Sequence, residues 1–253
     1  MKMNILSGGR LRMKKSVYIP TAERHETIEL PISCYLLRHP QGNVLFDTGC
    51  HPSVIDNAEA RWGSMAKAMV PIGSAEDNLI SQLTTVGLDP EDIDLVINSH
   101  FHSDHCGCNE FFKKATVVCH ASELENADQP DGVARGFLPI DWKQPWPIET
   151  IEGERDIFGD GRIVLVPVPG HTPGMIAGMV ALEQDGKFLL ASDAVALEVN
   201  LTAEVLPKNT WNADQATNSL SEIKRIQASG FKVLFGHDDA QWKSLRTGAN
   251  FYE

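Results

Sequence analysis

The sequence predicts an α/β protein built as two sheet-and-helix halves packed face to face, and three observations carry that expectation. Short apolar runs of strand length alternate with amphipathic stretches of helical period. The same order of elements recurs in both halves of the chain, without a simple sequence repeat. Successive apolar runs stop at a histidine or an aspartate, so groups suited to chemistry collect at strand ends. A chain of 253 residues can bury a full core, and the two similar halves are expected to form a single domain over residues 1–253.

Each element has its own signal. An apolar run over 32–37, a turn centred on Pro40, Gln41 and Gly42, and a second run over 44–46 make a hairpin of a buried sheet, with Asp47 where the strand stops. Ser74 is expected to cap a helix with Glu76 and Asp77 in its first turn, Leu79, Ile80, Leu83 and Val86 on one face, and Gly87 as its stop. A strand over 95–98 then runs into a histidine-rich stretch. A short strand over 115–119 precedes a helix begun by Ser122. Residues 128–150, rich in Pro, Gly, Asp and Trp, read as a surface excursion of the sort that borders a substrate site. Its aromatic members Phe137, Trp142 and Trp146 either line a pocket or fold back onto the core.

The second half repeats the theme. A strand over 163–168 leads to Gly170 and His171, and a hairpin through Gln184, Asp185 and Gly186 ends at Asp193. A helix with Ala216, Leu220, Ile223 and Ile226 on one side stops at Gly230, and a strand over 231–235 leads to His237.

Composition excludes several classes of function. Lys and Arg number 22 against 34 Asp and Glu, a formal charge of -12, with no basic stretch able to grip a phosphate backbone, so nucleic acid is not an expected partner. No run approaches the roughly 18 apolar residues of a membrane span, and the N-terminal stretch lacks the apolar core of a signal peptide. The five cysteines, Cys34, Cys50, Cys106, Cys108 and Cys119, are odd in number, which points to reduced thiols and a cytoplasmic location. Cys106-Gly107-Cys108 is tighter than the usual zinc half-site, and no second pair answers it.

The stretch "NSHFHSDHCG" places His100, His102, Asp104 and His105 within six positions, directly after a buried strand. In extended backbone His100 and His102 project from the same side, and a turn after His102 brings Asp104 and His105 round to a second point. With His171, Asp193 and His237 these are too many ligands for one ion. Two ions fit: His100, His102 and His171 around one, Asp104, His105 and His237 around the other, and Asp193 between them. Imidazole and carboxylate without thiolate suit zinc, with manganese, iron or cobalt at the more oxygen-rich position. Such a pair would bring the pKa of a bridging water towards neutrality and polarise a carbonyl or phosphoryl oxygen, which means hydrolysis of a bond the ligands alone do not specify. His25, His39, His51 and His120 read as ordinary structural histidines.

His100-x-His102-x-Asp104-His105, then Gly170-His171-Thr172-Pro173-Gly174, then Asp193, then Gly236-His237-Asp238 resembles, in order and separation, the metallo-β-lactamase superfamily. That resemblance implies a four-layer αβ/βα sandwich with the metals at one edge, and it assigns "LFDTG" at 45–49 to a turn that supports the metal loops. Within the superfamily the chain is most similar to the branch that opens N-acyl-homoserine lactones, together with relatives that open 4-pyridoxolactone. "MNILSGGRLRM", "LPISCYLLRHPQGNVLFDTG", "GLDPEDIDLVINSHFHSDHCG" and "RTGANFYE" carry the likeness.

The resemblance implies a quorum-quenching lactonase with two divalent ions, zinc foremost, whose bridging hydroxide attacks the ring. Asp104 would both bind the second metal and give a proton to the leaving alcohol. The branch carries a tyrosine three residues after the bridging aspartate, where this chain has Ala196. Tyr18, Ile19, Trp62, Met65, Met69, Phe101 and Phe137 are the apolar candidates for a wall along an acyl chain, with Ala196 beside the carbonyl. The expected partner is a small lactone, with no nucleic acid and no membrane; a homodimer is left open. The alternatives are another lactone such as 4-pyridoxolactone, or a thioester or phosphodiester on the same metals, although such enzymes generally add basic residues to grip an anion. A non-catalytic metal sensor is disfavoured by the complete ligand set.

Overall fold

β-branched and other apolar residues dominate the strands, which pair into two sheets. The computed structural model describes residues 1–253. In chain order the strands are β1 (Lys2–Lys14), β2 (Thr27–His39), β3 (Gly42–Phe46), β4 (Val70–Ile72), β5 (Leu95–Ile97), β6 (Thr116–His120) and β7 (Ile148–Ile151). They continue with β8 (Arg155–Asp156), β9 (Ile163–Pro167), β10 (Ile176–Leu182), β11 (Gly186–Ser192), β12 (Phe231–Phe235) and β13 (Phe251–Tyr252). The first sheet has eight strands in the order β13-β1-β2-β3-β5-β6-β7, with β4 paired to β1; the second has five, β12-β11-β10-β9-β8. The division follows the sequence halves, with β13 alone returning from the C-terminus to the first sheet.

Alternation along the strands turns the sheets into four layers. Tyr35, Leu37, Val44, Phe46, Ile97 and Val118 of the first sheet meet Leu165, Ile176, Val180, Phe188 and Leu190 of the second in one buried cluster. The opposite face of the first sheet, with Leu36, Leu45 and Val96, packs on Leu79 and Leu83 of the helix Leu79–Thr85. On the far side Ala177, Leu189 and Val233 of the second sheet pack on Leu220, Ile223 and Ile226 of the helix Ala213–Ala228. Asn212 caps that helix by accepting from the Gln215 N–H at 3.0 Å, and Gly230, at φ +99°, ends the turn beyond it. The expected α/β sandwich is the observed one.

Several local expectations needed correction. Ser74 caps only the 3-10 turn Ala75–Asp77; the helix after it begins afresh, capped by Asn78, whose side chain accepts from the Ser81 N–H. The helix Ala121–Ala127 is capped by the His120 ring, which accepts from the Ser122 N–H at 3.2 Å. The long strand β1 had no clear signal because Ser7, Gly8 and Gly9 interrupt its apolar run, and there its register with β2 shifts. Gly8 is required: a Cβ on it would lie 2.7 Å from the Gly49 Cα.

Strand ends place the site. β3 runs parallel to β5, and β11 to β12. β9 has the direction of β11, because β10 is antiparallel to both. The C-terminal ends of these strands therefore bring the segments after Phe46, Ile97, Pro167, Ser192 and Phe235 to the edge of the sandwich. No helix is long and apolar enough to cross a membrane.

Ile223 is fully buried between helix and second sheet and is not one of the clustered histidines and aspartates. Replacing it by Ala is expected to cost about 2–5 kcal/mol of stability, read as a lower denaturant midpoint, with bound metal per folded chain unchanged.

Candidate metal centre

β5 ends at Ile97, and the chain then bends and passes through His102, whose backbone is extended, into the single helical turn Ser103–Cys106, which carries Asp104 and His105. His171 comes from the loop after β9, Asp193 directly from the end of β11, and His237 from the end of β12. Their donor atoms fall into overlapping groups: His100, His102 and His171; Asp104, His105 and His237; and a linking group of His100, His105 and Asp193. All seven sequence candidates are thus brought together, and His25, His39, His51 and His120 stay outside. His39 hydrogen-bonds Asp160 and stacks on Phe158, while His51 pairs with Glu110 and stacks on Phe111.

Asp193 spans the two triads. Its Oδ2 lies 3.3 Å from His171 Nε2, and its Oδ1 lies 3.3 Å from His105 Nε2 and 2.7 Å from His237 Nε2. Asp104 Oδ2 sits 3.6 Å from His105 Nε2 and 3.7 Å from His237 Nε2.

The outward nitrogens are held by the protein, which fixes the orientation of each ring. His100 Nδ1 meets Ser99 Oγ at 3.0 Å, and His102 Nε2 meets the Arg135 carbonyl at 3.2 Å. His105 Nδ1 meets Asp47 Oδ2 at 2.9 Å, and His237 Nδ1 meets the Pro31 carbonyl at 3.0 Å. Asp47 also takes the Ser99 N–H at 2.7 Å, the Ser99 hydroxyl at 2.8 Å and the Ser192 hydroxyl at 3.2 Å. A further buried carboxylate, Glu123, accepts from the backbone N–H groups of Phe101 and Gly174, both at 2.9 Å, and so clamps the His100–His102 segment to the loop that carries His171.

Polar groups left over inside the cluster fit a cation. His105 Nε2, His237 Nε2 and Asp193 Oδ1 are buried without an aligned hydrogen-bond partner, although they approach one another closely. His102 Nδ1 faces His100 Nε2 at 3.1 Å and His171 Nε2 at 3.0 Å, three ring nitrogens converging on one point. Burial pushes His100 well below the usual histidine range and His171 down to about 3, so both rings are held neutral, the form that ligates. At His105 burial works the same way, but the carboxylates of Asp104, Asp193 and Asp47 outweigh it and favour positive charge. A site that rewards positive charge with nitrogen and oxygen donors suits divalent metal.

A cleft of about 320 Å3 opens onto the cluster, with Met13, Val17, Met65 and Met69 forming an apolar arm that leads to Tyr18, His102, Asp104 and Asp193. A second lobe of about 280 Å3, lined by Phe137, His171, Thr172, Lys208 and Trp211, shares His102 with it. Tyr18, Met65, Met69 and Phe137 therefore face the cleft. The other apolar candidates do not. Phe101 is fully buried and stacks on Trp142, because the residue between two inward-facing histidines points to the opposite side. Trp62 and Ala196 are buried in the packing beneath the cleft, and Ile19 packs against the same cluster. Met13, Val17, Lys208 and Trp211 were missed. Met13 and Val17 belong to elements with weak sequence signals, and Lys208 and Trp211 sit in an irregular loop. Ser99 and Ser192 each precede a metal-capable residue, a pairing visible in the sequence only once the ligands are known.

The metallo-beta-lactamase superfamily model matches residues 27–246. The chain is 31% identical to the N-acyl homoserine lactonase AiiB of Agrobacterium fabrum, over 100% of this chain and 99% of that protein. It is 27% identical to the N-acyl homoserine lactonase AttM of Azorhizobium caulinodans, over 100% and 98%. Among solved structures, an N-acyl homoserine lactone hydrolase with N-hexanoyl-L-homoserine bound at its catalytic metal center superposes with a TM-score of 0.89 at 27% identity, covering 99% of this chain and 98% of the other.

Asp47 meets His105 directly and His100 through the Ser99 hydroxyl, and it is not part of the cleft lining. Asp47→Asn keeps its shape but removes its charge and one acceptor, and is expected to weaken metal binding by about 10- to 100-fold, measured by competition with a chromogenic chelator.

Proposed function

Because the chain belongs to the metallo-β-lactamase superfamily, we propose that it is a metal-dependent hydrolase that opens the lactone ring of N-acyl-homoserine lactones. The observation that carries this reading is the position of Asp193, with one carboxylate oxygen towards each histidine group, at the floor of a cleft with an apolar arm. Full-length likeness to proteins named as N-acyl homoserine lactonases supports the choice of substrate. An acyl chain suits the wall of Met13, Val17, Met65 and Met69, and the polar lactone ring suits the end at Asp104 and Asp193.

His100, His102 and His171 would hold one ion and Asp104, His105 and His237 a second, with Asp193 shared; the nitrogen and oxygen donors suit zinc at both. When bound, such ions supply Lewis acidity towards a carbonyl and make water a nucleophile at neutral pH. The protein's own groups do the rest. Ring opening adds water across the bond between the carbonyl carbon and the ring oxygen. Asp104 takes the proton that the water gives up and returns it to the departing alkoxide oxygen. Asp104 lines the cleft together with Asp193, whose two oxygens are both turned to histidines. The Asp47 and Glu123 clamps keep the ligand loops in register while the substrate changes shape. Five buried, unpaired cysteines suit a reducing compartment, and we place the enzyme in the cytoplasm.

Elemental analysis of protein purified without chelator is expected to give about two divalent ions per chain; a reproducible value near one overturns the shared role of Asp193. Stripping the metal should lower the melting temperature, because the buried carboxylates lose their counter-charge. Asp104→Asn is expected to lower turnover by about 10²-fold or more, and near-normal turnover with full metal would remove the proton shuttle. A panel of short- and long-chain acyl-homoserine lactones, a plain γ-lactone, 4-pyridoxolactone, a glutathione thioester and an aryl phosphodiester tests the substrate. Preference for acylated homoserine lactones is expected, and preference for any other member overturns the reading.

A further inference from the structure

We propose that the Tyr18 hydroxyl donates a hydrogen bond to the carbonyl oxygen of the ester under attack. This rests on the lactonase reading for its substrate and on the cleft for its geometry. Tyr18 stands where the apolar arm meets the ligand cluster, sharing the lining with Asp104 and Asp193. Its ring is 3% exposed and meets the His237 ring edge-on, with centroids 6.2 Å apart. The hydroxyl has the Met13 thioether as its partner at 3.4 Å, a weak acceptor that a carbonyl oxygen readily displaces. The phenol keeps its proton throughout, so the interaction is a hydrogen bond and no group is transferred.

The other donors in this arm are committed or peripheral. The terminal nitrogens of Arg135 are engaged by Asn126 and Asp131, its Nε is buried out of reach of solvent, and Asn209 lies exposed at the rim. Tyr18 is also held in place from behind. Its carbonyl accepts from Asn200 Nδ2 at 3.0 Å, and the neighbouring Val17 carbonyl accepts from the Lys208 N–H at 2.7 Å. A donor fixed before the substrate arrives needs no reorganisation when charge develops on the carbonyl oxygen. Ala196, buried in the same packing cluster, has no side-chain donor to offer, so a phenol from the N-terminal segment serves the site.

Tyr18→Phe keeps the ring and its packing while deleting the donor. With N-hexanoyl-homoserine lactone, kcat is expected to fall by about 10²- to 10³-fold, with metal content and melting temperature unchanged. Adding Ala196→Tyr to Tyr18→Phe is expected to recover at least about tenfold of that loss by returning a phenol from the other side. A bound, unreactive homoserine lactam carrying a 13C ring carbonyl gives a second readout. Its infrared stretch should move to higher frequency in Tyr18→Phe as the hydrogen bond is lost. A kcat within about twofold of the parent, or an unchanged carbonyl stretch, overturns the proposal. So does a loss of turnover matched by a loss of metal or of melting temperature, which would assign Tyr18 to packing. If the parent enzyme prefers a different ester, the homoserine-lactone reading falls, while the same Tyr18→Phe ratio measured on that ester still decides the role of the phenol.

Discussion

The carboxylate of Asp47 joins the two sheets at the edge where the chemistry collects. It takes hydrogen bonds from Ser99 at the end of one sheet's strand and from Ser192 at the end of the other's, and it meets His105 between them. Ser99 and Ser192 also touch each other at 2.9 Å. Holding this position strains the backbone, with Asp47 at φ +62° and Ser192 at φ +46°, values that side-chain-bearing residues rarely adopt. Asp47, Asp104 and Asp193 are all buried in one small region. Carboxylates so crowded are costly without positive charge. Divalent metal and the hydrogen bonds to Asp47 would answer this together: positive charge offsets the carboxylates, and the bonds determine which atoms remain free to face it.

The clustering of the seven candidate residues was legible because metal binding would demand particular residue types, and those types were close in sequence or placed at strand ends. His100, His102, Asp104 and His105 announce themselves by spacing, whereas His171, Asp193 and His237 needed the rule that chemistry gathers at the ends of apolar runs. The layered fold was legible for the same reason, since Ile223 and Leu189 obey helical and strand periods respectively. What failed was local. Asn78 and His120 cap their helices better than the serines chosen from the pattern, because a cap depends on the exact turn that precedes it. The cleft was only partly legible. Phe101 and Trp62 look like pocket residues by type, but facing is decided by strand parity and by what else fills the space. Met13 could not be placed at all until β1 was seen to cross its sheet.

The division of labour between strands and loops has a consequence for specificity. The ligands hang from strand ends locked by two buried carboxylates, Asp47 and Glu123. The cleft, in contrast, is assembled from β1, the short helix Lys15–Tyr18, the segment around Met65 and Met69, and the irregular stretch around Asn209. Changes in these outer pieces alter which substrate is held without moving the metal ligands. Methionine is apt for such a wall, since its unbranched, polarizable chain adapts to acyl groups of differing length.

Position 196 illustrates how a functional side chain can shift while the framework stays. The Ala196 carbonyl accepts from the His237 N–H at 2.8 Å, and the Val195 carbonyl accepts from the Gly236 N–H at 3.0 Å. These bonds are made by the backbone and not by the Ala196 side chain. They tie the end of β12, with His237, to the turn that carries Asp193 through backbone atoms of positions 195 and 196. The side chain there is free to be small, and its neighbour across the packing, Tyr18, is free to be large. On the Tyr18 proposal, the polar group near the reacting carbonyl depends on two positions far apart in the sequence, 18 and 196, which is why no local motif reveals it. Tyr18 belongs to the same packing cluster as Ala196 and lines the cleft from the N-terminal segment. Two members of the apolar arm, Met13 and Val17, and the proposed donor Tyr18 then belong to the same stretch of chain, so that part of the wall for the apolar tail and the group proposed to polarise the carbonyl are linked through one short segment.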